Sequence, residues 1–224
     1  KTAKAVGNAN VGDQVRFGID PTGPTGGSLL ANLIQTPSLM ERAQQGREVG
    51  YAIIAVGIIA VIFAFYKLYS LYMIGTAVRK QANQEAADIA NPLGRVLKVG
   101  KENFDKDIDT LELKLAEAIM AERPAIDQGI GFIKIISVIA PLAGLLGTVT
   151  GMIVTFQMIT LYGTGDPKLM AGGISQALVT TVLGLLVAIP TSLLHSFTQS
   201  SARGIISILE EQSTGILAER AESK

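Results

Sequence analysis

The sequence predicts an all-α integral membrane protein with three transmembrane helices that extend into a cytoplasmic helical layer. Its mean hydropathy is +0.39 and 48% of its 224 residues are hydrophobic, more than a soluble domain of this size usually contains. The apolar residues are concentrated in three runs without Asp, Glu, Lys or Arg, at 49–66, 135–165 and 169–202. Because about 20 apolar residues cross the roughly 30 Å hydrocarbon core, each run is predicted to form a transmembrane helix.

The composition argues against several other classes of protein. The 19 basic and 19 acidic side chains cancel, whereas a nucleic-acid partner needs a concentrated positive face. The chain has no cysteine and a single histidine, so thiolate and histidine metal clusters are not expected. The spans contain neither paired carboxylates nor a nucleophile with a base. We therefore expect no nucleic-acid partner, no metal, no cofactor and no enzyme activity.

The pattern of polar and apolar segments predicts the domain organisation. In chain order we expect a periplasmic N-terminal arm and surface helix (1–48), a first transmembrane helix (49–78), a cytoplasmic helical region (79–129), a second transmembrane helix (130–161), a periplasmic hairpin (162–171), a third transmembrane helix (172–201) and a cytoplasmic tail (202–224). Helical spacing from Ser28 predicts a helix that lies on the bilayer or packs on a neighbouring protein. Gly163, Gly165, Asp166 and Pro167 supply the turn of the hairpin.

Residues 79–129 have the features of a water-exposed helical region. They carry 8 basic and 10 acidic side chains, and apolar residues recur every three or four positions: Phe104, Ile108, Leu111, Leu115 and Ile119. This spacing predicts an amphipathic helix. We expect the first and second spans to be prolonged into water and to pack together there as a helical layer, with its charges forming a solvated face or a docking site. Lys67, at the end of the first uncharged run, is expected to snorkel to the interface.

The distribution of cations predicts the orientation. Five cations flank the spans on the side of residues 79–129 and three on the other, which places that region and the tail in the cytoplasm. The first group is Arg79, Lys80, Arg123, Lys134 and Arg203, and the second is Arg42, Arg47 and Lys168.

Small and hydroxyl residues form one face on each of the last two spans. On the second span they are Gly144, Gly147, Thr148, Gly151 and Thr155, and on the third Gly173, Gln176, Thr180, Gly184, Ala188, Thr191 and His195. Gly147 and Gly151 form a GxxxG motif, which permits close helix contact. The faces are either packing seams or the lining of a polar passage in a multi-subunit bundle. Pro141 and Pro190 are candidate hinges.

Two long motifs carry a resemblance to a known family. They are Ala140–Ile153, APLAGLLGTVTGMI, and the pair GGISQALVTT at Gly172–Thr181 with GLLVAIP at Gly184–Pro190. The chain resembles the MotA/TolQ/ExbB proton-channel family over about residues 49–215, and within it ExbB. The Ser28–Gly50 stretch also resembles that of TtpC, an ExbB-like component of some TonB systems.

The resemblance implies a homo-oligomeric ring in the bacterial inner membrane. It implies a homopentamer whose second and third spans surround the single spans of two ExbD-like subunits, each with a membrane-embedded Asp. Proton flow would then drive motion that is passed to a TonB-like protein. By position, Thr148 and Thr181 match the family's pore-lining threonines. We predict an ion pathway along Thr148, Thr155, Gln176, Thr180 and Thr181.

One position departs from the family pattern. Many ExbB and TolQ proteins have an acid where this chain has Gln176, and an amide does not titrate near neutral pH. The partner Asp would then be the sole titrating group, and the coupled ion is H⁺ or Na⁺. The alternatives are a TolQ-like envelope-maintenance role, a flagellar-type motor stator, or a membrane scaffold without ion flux.

Overall fold

The computed structural model describes residues 44–84, 88–163 and 167–223, with the side chains of all but residues 167–169. Five α-helices occupy these ranges, with no strand among the residues described. They are α1 (Arg47–Ala82), α2 (Pro92–Glu102), α3 (Ile108–Asp127), α4 (Ile130–Tyr162) and α5 (Pro167–Glu222). The predicted N-terminal arm, the helix predicted from Ser28 and most of the predicted hairpin turn lie outside the described residues.

Three of the helices are long and apolar enough to cross a membrane, as the sequence predicts. They are α1, α4 and α5, and each contains an 18-residue window of mean hydropathy 2.1 or higher. Helix α5 has 56 residues, so at 1.5 Å per residue it is about 84 Å long, far more than a bilayer requires. The predicted extension of the first and third spans beyond the membrane is therefore present in α1 and α5.

The second span differs from the prediction because it does not continue into the α2–α3 region. Gly129 breaks the chain between α3 and α4 with a left-handed φ of 82°, a conformation that L side chains rarely adopt. A Cβ at Gly129 would also approach the ring of Phe63 to 2.7 Å. The helix predicted around Phe104 begins only at Ile108, since residues 103–107 form the connection from α2.

The ends of α1 and α5 pack with α2 and α3 into a structure that we call the helical layer. Its core consists of buried aliphatic side chains from all four helices and the first residue of α4: Leu71, Val78, Leu93, Val96, Leu111, Leu115, Ile126, Ile130, Ala202, Ile205, Ile206 and Leu209. Leu111 and Leu115 belong to the predicted apolar stripe, so its burial is confirmed.

Two polar contacts fasten the helical layer. Arg95 of α2 donates two hydrogen bonds to the Glu122 carboxylate of α3, of 2.6 and 2.7 Å, and these hold the pKa of Arg95 above its ordinary value. Near the end of α5, the Arg220 guanidinium lies 5.5 Å from the centre of the Phe104 ring. Phe104 therefore lies in the connection between α2 and α3, where Arg220 covers its ring, and it does not extend the stripe of α3.

Lys67 does not snorkel into the interface as predicted. Its side chain is only 7% exposed, and its ammonium group donates to the backbone carbonyl of Ala125, 3.4 Å away at the end of α3. The sequence shows a lysine at the end of an apolar run but not the carbonyl beside it. Lys67 thus joins α1 to the helical layer.

Helices α4 and α5 contact each other backbone to backbone along the two predicted small-residue faces, which we call the glycine seam. A Cβ at Gly144 would lie 2.9 Å from the Thr180 carbonyl oxygen, and one at Gly184 would lie 2.7 Å from that of Ala140. One at Gly151 would lie 2.7 Å from the Gly173 oxygen. The packing-seam alternative therefore describes most residues of these two faces.

Helix α1 packs on this pair through a glycine that the sequence analysis did not single out. A Cβ at Gly57 would overlap the side chain of Val187 on α5. On the side of α4, Phe63 and Phe132 make an edge-to-face contact with ring centres 5.4 Å apart. One of the two glycines in the uncharged run 49–66 was the only sequence signal for this contact.

We predict that Gly151→Ala destabilises the seam, whereas Gly172→Ala does not. The added methyl group at residue 151 meets backbone atoms of Gly173 and Ala177, which cannot rotate away, while a Cβ at Gly172 has nothing within 4 Å. Overpacking of this kind costs about 1–3 kcal/mol. Thermal unfolding of the detergent-solubilised protein followed by circular dichroism measures the difference; equal midpoints for the two variants would contradict the seam.

Candidate functional site

The glycine seam buries three of the five predicted ion-pathway residues. Thr180 is fully buried, and Thr155 and Gln176 are also buried. The Thr180 hydroxyl lies 3.0 Å from the carbonyl oxygens of both Gln176 and Ala177, and that of Thr155 donates to Gly151 at 3.0 Å. Because their hydroxyls bond to their own helices inside the seam, Thr155 and Thr180 face protein within the single chain. Their predicted role in an ion pathway stays a prediction.

The other two predicted residues, Thr148 and Thr181, are half-buried at the margin of the seam. Thr148 follows the seam residue Gly147, and Thr181 follows the seam residue Thr180. The two helices run antiparallel, because Gly144 lies against residues 180–184 and Gly151 against residues 173–177. In an antiparallel pair of helices, residues that lie one position after a contact residue point to the same side of the pair on both helices. Thr148 and Thr181 therefore share one edge, which we call the hydroxyl edge.

Helix α1 covers the opposite edge of the pair. Its contacts include Val187, which precedes the seam residue Ala188 by one position. It also forms a groove with α4 in which Ala143 takes part, one position before the seam residue Gly144. Residues that α1 contacts precede a seam residue, whereas Thr148 and Thr181 follow one. Helix α1 therefore lies on the other side of the pair and leaves the hydroxyl edge uncovered.

Two serines that the sequence analysis missed lie along the same edge. Ser137 and Ser192 line a surface depression of about 350 Å³ between α4 and α5. Each is eleven residues, about three helical turns, from Thr148 and Thr181 respectively, in the direction of the helical layer. Isolated serines in apolar spans carry little signal, and only the pairing of the helices brings these two together.

The hydroxyls of the edge keep acceptor capacity after their bonds within the helix are counted. Thr148 donates to the carbonyl of Leu145 at 2.6 Å, and Thr181 donates to that of Ala177 at 3.4 Å. A hydroxyl has one proton to donate but two lone pairs, so both oxygens still accept hydrogen bonds or ligate a cation. The edge therefore offers oxygen acceptors at membrane depth.

No titratable side chain occurs in residues 135–161 of α4 or 170–194 of α5. Gln176 is an amide, and the Gln176 side chain makes no hydrogen bond within the described parts of the chain. Within the same parts, no cluster of three His, Cys, Asp or Glu side chains is placed to bind a metal. A proton carried along these segments would have to reside on water or on another molecule.

The two prolines of the spans lie inside continuous helices. Pro141 of α4 is half-buried and Pro190 of α5 is exposed, and neither interrupts the helix that contains it. The hinge role predicted for them requires a second conformation, so it stays a prediction.

A family model and individual relatives indicate the same protein family. The model of the MotA/TolQ/ExbB proton channel family matches residues 88–211, more than half of the chain. An ExbB homolog of Methanothermobacter thermautotrophicus is 31% identical over 180 residues, which cover 71% of this chain and 62% of that protein. Two ExbB-like biopolymer transport proteins of Synechocystis also match. One is 36% identical over 45% of this chain and 49% of its own length. The other is 29% identical over 70% of this chain and 69% of its own length.

The matched region contains the seam and the hydroxyl edge. Residues 88–211 span α2, α3, α4 and most of α5, and therefore Thr148 and Thr181. The region that resembles TtpC, Ser28–Gly50, lies before it and mostly outside the described residues, so that refinement stays a prediction. The three membrane-length helices and the matched region agree: the chain is a membrane protein that belongs to the MotA/TolQ/ExbB family.

Proposed function

We propose that this chain is an ExbB-like, ion-conducting stator subunit of the bacterial inner membrane. It acts with ExbD-like single-span subunits, and the pair energises uptake across the outer membrane through a TonB-like protein. Family membership supports the general role. The observation that carries the specific proposal is the hydroxyl edge, a line of oxygen acceptors that α1 leaves uncovered, on helix segments (135–161 and 170–194) that contain no titratable side chain.

The chemistry of the edge fits a passive wall for an ion pathway. An isolated charge in hydrocarbon is costly, so an ion needs water or protein oxygens along its path. Thr148 and Thr181 supply such oxygens, and Ser137 and Ser192 continue them toward the helical layer. A protonated carboxyl group donates a hydrogen bond to a hydroxyl oxygen, and a carboxylate takes up a proton that arrives as hydronium and leaves a water molecule behind. The titrating group is then the Asp of the partner span, and this chain orients it.

The apolar character of the remaining surface supports the ring that the family resemblance implies. Large apolar side chains are exposed on α4 and α5, including Leu145, Leu178 and Leu185. In a pentamer, neighbouring copies and lipid cover these faces while the hydroxyl edges turn inward around two partner spans. One charge that crosses 100 mV supplies about 2.3 kcal/mol, so mechanical work at the outer membrane requires several ions.

The orientation is part of the proposal. We place the helical layer in the cytoplasm, because five cations lie on its side of the apolar runs, namely Arg79, Lys80, Arg123, Lys134 and Arg203. Ser137 and Ser192 then line the cytoplasmic half of the pathway, and the end of α4 at Tyr162 lies near the periplasm.

We predict that Thr148→Ala and Thr181→Ala each abolish TonB-dependent uptake, because each removes a hydroxyl oxygen from the edge. Thr→Ser at the same positions keeps the oxygen and retains uptake. Thr160→Ala is the matched control, since Thr160 is an exposed α4 threonine that also donates to its own helix, to Phe156. Uptake of an iron chelate by complemented cells is the measurement, with membrane content checked by immunoblot; normal uptake in the alanine variants would refute the assigned roles.

A flux measurement separates a channel from a scaffold. Liposomes that contain the chain with an ExbD-like partner are expected to conduct protons when a potential is applied, and liposomes that contain the chain alone are not, because residues 135–161 of α4 and 170–194 of α5 carry no titratable side chain. A pH-sensitive dye inside the liposomes reports H⁺ flux, and a Na⁺-sensitive dye in a parallel experiment reports Na⁺ flux, so the two readings identify the ion. Absence of both fluxes with the partner present would favour the scaffold.

A further inference from the structure

A groove between α1 and α5 lies on the side of the molecule away from the hydroxyl edge. Its volume is about 570 Å³. The residues that line it come from one stretch of each helix: Leu68, Leu71, Tyr72, Gly75, Thr76 and Arg79 on α1, and Ser200, Ser201, Gly204, Ile205 and Ile208 on α5. The groove takes no part in the proposed ion pathway.

The groove is apolar at its base and open above it. Leu71 and Ile205 are buried there. Two glycines keep the space free: a Cβ at Gly204 has nothing within 4 Å, and one at Gly75 would meet only the side chain of Ile205, at 3.7 Å. An elongated apolar group therefore fits along the base without displacing protein atoms.

A stripe of exposed tyrosines on α1 indicates where the groove lies relative to the bilayer surface. Tyr66, Tyr69 and Tyr72 are 65–68% exposed and lie three residues apart, so they follow one side of the helix over about 9 Å. Tyrosine is enriched where lipid headgroups meet hydrocarbon. Because the groove begins at Leu68 within this stripe, it opens at the surface of the bilayer next to the helical layer.

The polar side of the groove is cationic and has free hydrogen-bonding capacity. No acidic side chain lines the groove. In the described parts of the chain, Arg79 forms no ion pair, and Ser200 and Ser201 form no hydrogen bond through their hydroxyls. The contact of Gly75 with Ile205 sets the register of the two helices, so Ser201 is level with Leu71, one turn nearer to the membrane.

We propose that this groove binds an anionic phospholipid of the leaflet next to the helical layer. The phosphate pairs with the Arg79 guanidinium, whose donors match two phosphate oxygens. The hydroxyls of Ser200 and Ser201 face the glycerol region, and an acyl chain lies over Leu68 and Leu71 toward the hydrocarbon. Charge complementarity and depth together select an anionic lipid, and the site does not depend on ion conduction by this chain.

Native mass spectrometry of the intact oligomer tests the site. The protein is extracted from membranes and exchanged into micelles with dioleoylphosphatidylglycerol or dioleoylphosphatidylcholine. Arg79→Gln is expected to lower retention of the anionic lipid about fivefold, the loss typical of one arginine at an anionic surface. The neighbouring Lys80→Gln removes the same charge outside the groove and is expected to leave retention unchanged.

A steric pair of variants tests the groove itself. Gly204→Leu fills the open space and is expected to exclude the lipid, whereas Gly215→Leu, also with nothing within 4 Å of its Cβ, lies elsewhere on α5 and has no effect. Equal retention in all four variants, or equal retention of the zwitterionic lipid by the unchanged protein, would overturn the proposal.

A second copy of the chain is the competing occupant. The chain has no cysteine, so Thr76→Cys and Ser200→Cys each introduce one thiol at the groove. A lipid in the groove predicts that a bifunctional thiol reagent links neither variant between protomers, and that the thiols are protected by added phosphatidylglycerol. Efficient protomer cross-linking at both positions would replace the lipid with a neighbouring subunit.

Discussion

The arrangement of the membrane helices depends on one constraint: the backbones of α4 and α5 approach each other so closely that their contact residues must be small. Gly144, Gly151 and Gly184 leave room for a carbonyl or an α-carbon of the other helix, and a single added methyl group would not fit. Two helices in hydrocarbon gain no hydrophobic stabilisation from contact, so close packing of this kind holds them together. The same contact sets the rotation of each helix about its axis, and hence which side chains reach the margin.

That rotation separates the polar residues of the spans into two groups. Thr155 and Thr180 lie inside the seam with their hydroxyls bonded to their own helices, where they fill space and avoid lipid. Thr148 follows the seam residue Gly147 and Thr181 follows Thr180, and both reach the uncovered edge. A difference of one residue, about 100° around a helix, thus separates a structural hydroxyl from one available to an ion.

The sequence predicts the spans and the small faces because composition and helical spacing report directly on the membrane and on close packing. It does not separate Thr180 from Thr181, because both belong to a broad small-residue face and only the partner helix defines its centre. The break at Gly129 and the burial of Lys67 depend on Phe63 and on the Ala125 carbonyl, which are distant in sequence. Phe104 fits the stripe of α3 in spacing but lies in a turn, where Arg220 of α5 covers it. No local sequence pattern indicates the ring or the partner subunit, so both are inferred from the family resemblance.

The most direct measurement asks whether the hydroxyl edge is wet in the assembled complex. The cysteine-free chain permits Thr148→Cys and Thr181→Cys, with Ile62→Cys on the exposed face of α1 as the lipid-facing reference. In membranes that contain the partner subunit, a small charged thiol reagent is expected to modify residues 148 and 181 much faster than residue 62. Equal protection at all three positions would mean that the threonines face acyl chains, and it would contradict a shared ion pathway along this edge.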